Sequence, residues 1–255
     1  GVLAYMMEAT ERGVHDFGVR FGQADGALRI AADIAHLRGI GKDAALGSLG
    51  LAEKYGGVEY AMQNKGQELP GYDPRGSWGM GIGYATAPRG GCHMSCYPVA
   101  DEAWGDLDPF TFEGKARYVM EAQNSQFAKF SLGVCDFWPI SSATLARLLE
   151  VTYGGSWSAE QIDALGERVF ILQRLFIVMN GFDRSQDTLP ARFFKELLRD
   201  GPPAGIAMTR EAFESCLDEY YRLRGWDDQG RPTAARLQSL GMEAEFVAAC
   251  RKAVC

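Results

Sequence analysis

Apolar residues recur at helical spacing along most of the chain. Ile30, Ile34 and Leu37 fall at i, i+4 and i+7 with Ala31 and Ala35 beside them, and Gly39 supplies a stop. The pattern returns over residues 42–55 through Leu46, Leu49 and Ala52, ahead of Gly56-Gly57. A longer helix is predicted from Thr111 to Phe130, with Ala116, Val119, Met120, Gln123 and Phe127 on one side, and Ser142 is placed to cap the next. Ser158-Ala-Glu-Gln161 has the spacing of a capping box and opens a helix carrying Ile162, Leu165, Val169, Leu172 and Phe176. Thr209 opens another, with Phe213, Cys216, Leu217 and Tyr220 inside and Gly225 at its end. No stretch alternates at period two for long enough to argue a sheet, so the expected fold is all-α, with short pairings allowed where glycine is dense.

One segment breaks the helical pattern. From Lys65 to Cys96 the chain crowds Gly and Pro, which together disfavour a continuous helix. A long irregular loop is expected there, and such loops inside compact domains are usually functional. The loop suggests a division into a helical piece over 1–62 and a larger helical domain over 63–255.

Composition narrows the setting. The 255 residues are 47% hydrophobic and 23% charged, as in an ordinary globular protein rather than a disordered or collagen-like one. A net charge of −7 with no basic block argues against nucleic acid as a partner. Apolar runs are broken well short of the ~20 residues that cross a bilayer, so no membrane partner is expected. The six cysteines, Cys92, Cys96, Cys135, Cys216, Cys250 and Cys255, are few and mostly isolated, which suits a reducing cytoplasm. Cys216 and Cys250 read as small buried hydrophobes.

Candidate chemistry concentrates in and after the glycine-rich segment. His93 follows Arg89-Gly-Gly-Cys92, and histidine is the side chain that moves protons near neutral pH, with Gly90 and Gly91 leaving room for a ligand. His15 and His36 are expected on amphipathic helices as partly exposed polar positions. Cys92 and Cys96 form half of a zinc spacing without its second pair. Gly79-Met-Gly81-Ile-Gly83 imitates a dinucleotide fingerprint but lacks the preceding strand. Asp73-Pro-Arg75-Gly76 reads as a turn in which Asp73 bonds its own backbone, with Arg75 either structural or available to grip a phosphate. Leu132-Gly133-Val-Cys135-Asp-Phe137 places a thiol in a loop just after a helix.

Taken together, these segments resemble the aldehyde ferredoxin oxidoreductase family of tungsten- or molybdenum-pterin enzymes. The resemblance runs in order through GVLAYMMEATERG, IAHLRGIG, KGQELPGYDPRG, GMGIGYATAPRGGCH, SLGVCDF, GERVFILQRLF, DTLPARF, YYRLRGW and PTAARLQSLG. It implies the end of the second helical domain and the whole third helical domain of such an enzyme. The family's amino-terminal region, with its three closely spaced cysteines, would lie upstream of Gly1. By the same resemblance Cys135 takes the place of the fourth ligand to a four-iron, four-sulfur (4Fe-4S) cluster, beside Gly133. His93 takes that of the histidine near the metal, and Arg75 lies in a cofactor-binding segment.

The resemblance thus implies an oxidoreductase that converts aldehydes to carboxylic acids. Its cofactors would be a tungsten (or molybdenum) bis-pterin and one 4Fe-4S cluster, and its acceptor ferredoxin or another electron-transfer subunit, with a homodimer as a further association. The alternatives are a tungsten subunit like that of benzoyl-coenzyme A reductases and an isolated helical fragment that binds no cofactor and has no activity. Two positions depart from the family pattern: Phe130 stands where it carries Asp, and Ile177-Val-Met-Asn180-Gly181 replaces a segment with Asn and Arg before Gly.

Overall fold

A computed structural model of the chain describes residues 1–242. Cys250 and Cys255 lie outside the described residues. The fold is all-α, and its one described sheet is a hairpin of two strands.

The first part of the chain forms α1 (Val2–Glu11), α2 (Ala24–Ala35), α3 (Gly41–Ala44) and α4 (Gly47–Tyr55). Their apolar faces close a core of Tyr5, Met6, Ala9, Phe17, Val19, Ile30, Leu51, Tyr60 and Ala61. The single helix expected over 42–55 is two short ones. Leu46 sits between them, exposed, and Leu37 lies beyond the end of α2 in a left-handed conformation. Periodicity alone did not reveal these breaks, because Leu37 and Leu46 continue the spacing while facing solvent. His15 is off the helices altogether, in the loop after α1, packed between Phe17 and Tyr55 at ring-centroid distances of 4.5 and 4.4 Å. His36 is the exposed residue that ends α2.

Residues 63–96 contain more order than an irregular loop. Strands β1 (Gln63–Asn64) and β2 (Gln67–Glu68) form an antiparallel hairpin, and α5 (Trp78–Thr86) follows, every residue of it buried. A Cβ at Gly83 would stand 2.6 Å from Cys96 Sγ, and one at Gly79 would stand 2.9 Å from both Glu102 Oε1 and Pro98 Cβ. The glycines therefore let neighbouring elements approach this helix, and that packing outweighs the ~1 kcal/mol per residue that glycine costs a helix. The dinucleotide-like GMGIG run lies inside α5 and opens no phosphate loop. Buried Glu102 closes the start of α5 from outside: it accepts hydrogen bonds from Ser77 Oγ and Gly79 N and an ion pair from Lys115.

The remaining helices are α6 (Pro98–Trp104), α7 (Lys115–Ser131), α8 (Ser142–Tyr153), α9 (Ala159–Met179), α10 (Arg192–Lys195), α11 (Arg210–Arg224) and α12 (Ala234–Ser239). Helix α7 starts later than Thr111 because Gly114, in a left-handed conformation, precedes its first turn. Ser141, rather than Ser142, caps α8 by accepting from Thr144 N, while Ser142 donates to Asp163 on α9. Ser158 and Gln161 form the reciprocal capping box expected, and Thr209 caps α11, which Gly225 ends. Helices α7 and α9 pack so closely that a Cβ on Gly166 would fall 1.8 Å from Asn124 O. A second core, including Met80, Tyr84, Val119, Phe127, Phe170, Phe213, Cys216 and Tyr220, fills the space between α5, α7, α9 and α11. Burial pushes the Cys216 thiol up to about 12, as befits an inert core residue.

Candidate functional site

A cleft of about 460 Å³ brings the His93 turn together with the loop that carries Cys135. Its walls come from three places besides Ala100 and Asp101 of α6. His93, Met94 and Tyr97 form one; Tyr118, Gln126 and Lys129 of α7 form the second; and Asp136, Phe137 and Pro139 form the third.

The His93 wall is built from the hairpin outward. Gly90 has φ +101°, and a Cβ there would sit 2.5 Å from Asn64 O. One on Gly91 would meet Leu69 Cδ2 at 2.6 Å. These glycines therefore press the chain against the hairpin and leave no room for a ligand, contrary to the expectation from sequence. Arg89 Nε donates to Cys92 Sγ at 3.0 Å, and His93–Ser95 form a single 3-10 turn. The imidazole packs near the Tyr72 and Tyr97 rings at 5.6 and 6.1 Å and makes no side-chain hydrogen bond among the described residues. Half-burial holds His93 below its ordinary value of 6.5, reinforced by Arg89 and opposed by Asp136. At neutral pH it is an uncharged base. The Tyr72 hydroxyl and then burial push Tyr97 up to about 12, so it stays a proton donor.

The opposite wall begins where α7 ends. Gly133, at φ +66°, takes the left-handed conformation that reverses the chain; Gly133 N donates to Phe130 O and Val134 N to Lys129 O, closing the helix. The chain then presents Cys135 exposed and free. Lys129 Nζ donates to Asp136 O at 3.4 Å and Trp138 O at 3.1 Å, lacing the loop to the helix. Burial holds this lysine below its ordinary value, against the pull of Asp136 and Cys135. Phe137 packs edge-on to Tyr97 at 5.9 Å and joins the two walls. On α7, Tyr118 donates to Asp101 across the cleft from α6.

Arg75 lies elsewhere. Asp73 bonds its own turn as expected, accepting from Arg75 N at 2.9 Å, and also grips the Arg75 guanidinium; Arg75 Nη1 donates to Glu196 O at 3.0 Å. Phe130 is partly exposed and packs edge-on against Phe127. Among the described residues no three His, Cys, Asp or Glu side chains converge to hold a metal ion, Cys92 and Cys96 included. A 4Fe-4S cluster takes four thiolates, so the residues present fit one corner of such a group: a reachable thiol on a turn beside a buried ammonium. The remaining thiolates would have to come from outside the described residues.

Sequence reasoning missed Tyr97, Tyr118, Lys129 and Asp136. Only the Tyr97 position, four residues after His93, carried a local hint. A larger hollow of about 1130 Å³ between the hairpin and residues 182–191 holds none of the predicted site residues, and its Arg184 is paired with Glu214 and Asp218.

Comparison with known proteins follows the same outline. The family model for aldehyde ferredoxin oxidoreductase, domains 2 and 3, matches residues 1–242. A tungsten-containing aldehyde ferredoxin oxidoreductase of Pyrococcus horikoshii is 36% identical over 97% of this chain and 43% of its own length. The enzyme of the same name from Thermococcus kodakarensis is 34% identical, with 97% and 42% covered. A WOR-like subunit of an aliphatic sulfonate oxidoreductase from Pyrococcus furiosus is 25% identical over 94% of the chain and 39% of the subunit. Among solved structures, the active-site complex BamBC of benzoyl coenzyme A reductase, in complex with 1,5-dienoyl-CoA, superposes with a TM-score of 0.72. It covers 97% of this chain and 44% of that one, and at 19% identity this is a likeness of fold. The chain therefore spans less than half the length of these curated relatives, and by family model and sequence identity it belongs to the aldehyde ferredoxin oxidoreductase family, matching the model for its domains 2 and 3.

Proposed function

We propose that this chain is the carboxy-terminal portion of a tungsten (or molybdenum) bis-pterin oxidoreductase that oxidises an aldehyde to a carboxylic acid and passes the electrons to ferredoxin. The observation that carries the reading is the single cleft shared by an uncharged histidine base and a loop with a free thiol. The tungsten-containing relatives support it. The metal–pterin would supply a two-electron acceptor and the 4Fe-4S cluster a one-electron relay.

This chain's own residues would do the rest. Water adding to an aldehyde and leaving as carboxylate releases protons along with the electron pair. His93 accepts one of them at an imidazole nitrogen, which its depressed basicity keeps free at neutral pH. The rings of Tyr72 and Tyr97 pack near the imidazole, and Phe137 packs edge-on to Tyr97, so aromatic faces surround the acceptor. Gly133 turns the chain so that Cys135 can ligate the cluster as a thiolate. Arg75, which the resemblance assigns to cofactor binding, is engaged with Asp73 and Glu196 O and braces the 73–76 turn outside this cleft.

An amino-terminal region would complete both cofactors. No described helix is long and apolar enough to cross a membrane. The test is aldehyde-dependent reduction of a viologen dye by the assembled protein, with tungsten, molybdenum and iron measured on the same preparation. Turnover in proportion to bound metal supports the reading. Full metal loading without oxidation of any aldehyde in a panel of aliphatic and aromatic ones would overturn it.

A further inference from the structure

We propose that Lys129 is a fixed positive charge serving the 4Fe-4S cluster that Cys135 anchors: it positions the ligand loop and raises the cluster's reduction potential. The inference rests on the reading of Cys135 given above.

Lys115 and Lys129 are buried among the described residues, and the side chain of Lys65 is only 2% exposed. Lys65 ends on Asp187 at 2.9 Å and Lys115 on Glu102. Lys129, only 8% exposed, has no carboxylate within salt-bridge distance among the described residues. Buried charges are normally paired, because taking them out of water is costly. Buried Arg224 also lacks a carboxylate, but four oxygens, on Tyr220, Asn124, Met120 and Gln123, accept its hydrogen bonds, and it lies over the faces of Phe170 and Tyr220. Lys129 has only two backbone carbonyls for three N–H donors.

Those two carbonyls decide the assignment. Asp136 and Trp138 bracket Phe137 in the segment that directly follows Cys135, so the ammonium is held against the ligand loop itself. A thiolate-ligated 4Fe-4S cluster carries net negative charge and gains another on one-electron reduction. A nearby cation therefore stabilises the reduced form more than the oxidised form, and charge near a cluster is one of the protein's means of setting its potential. The Asp136 carboxylate attracts Lys129 without closing a salt bridge, and the cluster would supply the further counter-charge.

The experiment compares Lys129→Gln, which keeps two N–H donors and loses the charge, with Lys129→Met, which loses both, in the assembled holoenzyme. The readouts are iron content, thermal melting and the cluster's midpoint potential, from a titration followed by electron paramagnetic resonance with dithionite as reductant. Lys129→Gln should retain its iron while the reduction equilibrium weakens about tenfold, a shift of ~59 mV to more negative potential for one electron. Lys129→Met should shift equally and lose part of its iron as the loop loosens. If Lys129→Gln does not fold, the clusters retained by Lys129→Met give the same potential reading. An unchanged midpoint in either variant overturns the proposal, whatever happens to iron or melting. Cys135→Ser separates the two layers: an unaltered cluster signal there would refute the ligand reading, whereas an altered signal with an unmoved Lys129→Gln potential would refute only the role of Lys129.

Discussion

Asp187→Asn should destabilise the protein severely, because Asp187 is the one carboxylate that two buried cations share. It is 1% exposed, accepts hydrogen bonds from Arg174 Nη1 at 2.9 Å and Tyr221 Oη at 2.5 Å, and forms ion pairs with Arg174 Nη2 at 2.6 Å and Lys65 Nζ at 2.9 Å. Burial alone would raise its pKa, but Lys65 and Arg174 outweigh burial and hold it below the usual carboxylate range. The substitution keeps the shape and leaves Lys65 and Arg174 buried with an amide that matches neither. Breaking a buried pair from one side costs about 3–5 kcal/mol. At roughly 2–4 °C per kcal/mol for a chain of this size, Tm should fall by about 6–20 °C.

The loss should also reach the site. Lys65 belongs to the hairpin turn, whose neighbour Asn64 donates to Gln186 O and Thr188 O, and Gly90 and Gly91 lean on that hairpin just ahead of His93. Calorimetry or circular dichroism melting checks the magnitude, and Lys65→Met in the Asp187→Asn background should restore part of the stability by removing one stranded charge. Because the folded pKa is depressed, the contribution is present above the unfolded carboxylate value of ~3.9 and fades as pH falls through the folded one. A single-variant loss below ~1 kcal/mol, or no coupling with Lys65→Met, would refute the reasoning.

In the assembled enzyme, His93→Asn should lower kcat by about 10²–10⁴-fold with metal content and Tm nearly unchanged; near-normal turnover per metal would remove His93 as the proton acceptor. Since burial depresses His93, the acidic limb of the kcat/KM profile should fall below pH 6.5 and vanish in His93→Asn. Gly166→Ala, whose methyl would fall 1.8 Å from Asn124 O and 2.9 Å from Ala128 N, should cost about 1–3 kcal/mol by forcing α7 and α9 apart, read as a lower Tm.

Much of the fold was legible because its signals are local. The capping box at Ser158 and Gln161, the Thr209 cap and the Gly225 stop each involve residues a few positions apart, and each stands as predicted. Helix α5 was illegible because its glycines answer to Cys96, Glu102 and Leu189, neighbours that only the tertiary structure supplies. The same is true of Asp187, whose partners run from Lys65 to Tyr221. His93 and Cys135 were singled out by family resemblance rather than by periodicity. The cleft around them was not visible at all, since a lone lysine or tyrosine on a long helix looks like a solvated position. Lys129 is buried only because the chain after Gly133 folds back over it.

The most direct test of the central claim is iron content with the reduced-cluster spin signal in the assembled Cys135→Ala protein, measured beside Cys216→Ala. Cys135 is exposed on its loop and Cys216 sealed in the core, so only the first can reach a cluster. Loss of the signal and of most iron in Cys135→Ala, with both retained in Cys216→Ala, is the predicted result. Full iron and an unaltered signal in Cys135→Ala would contradict it.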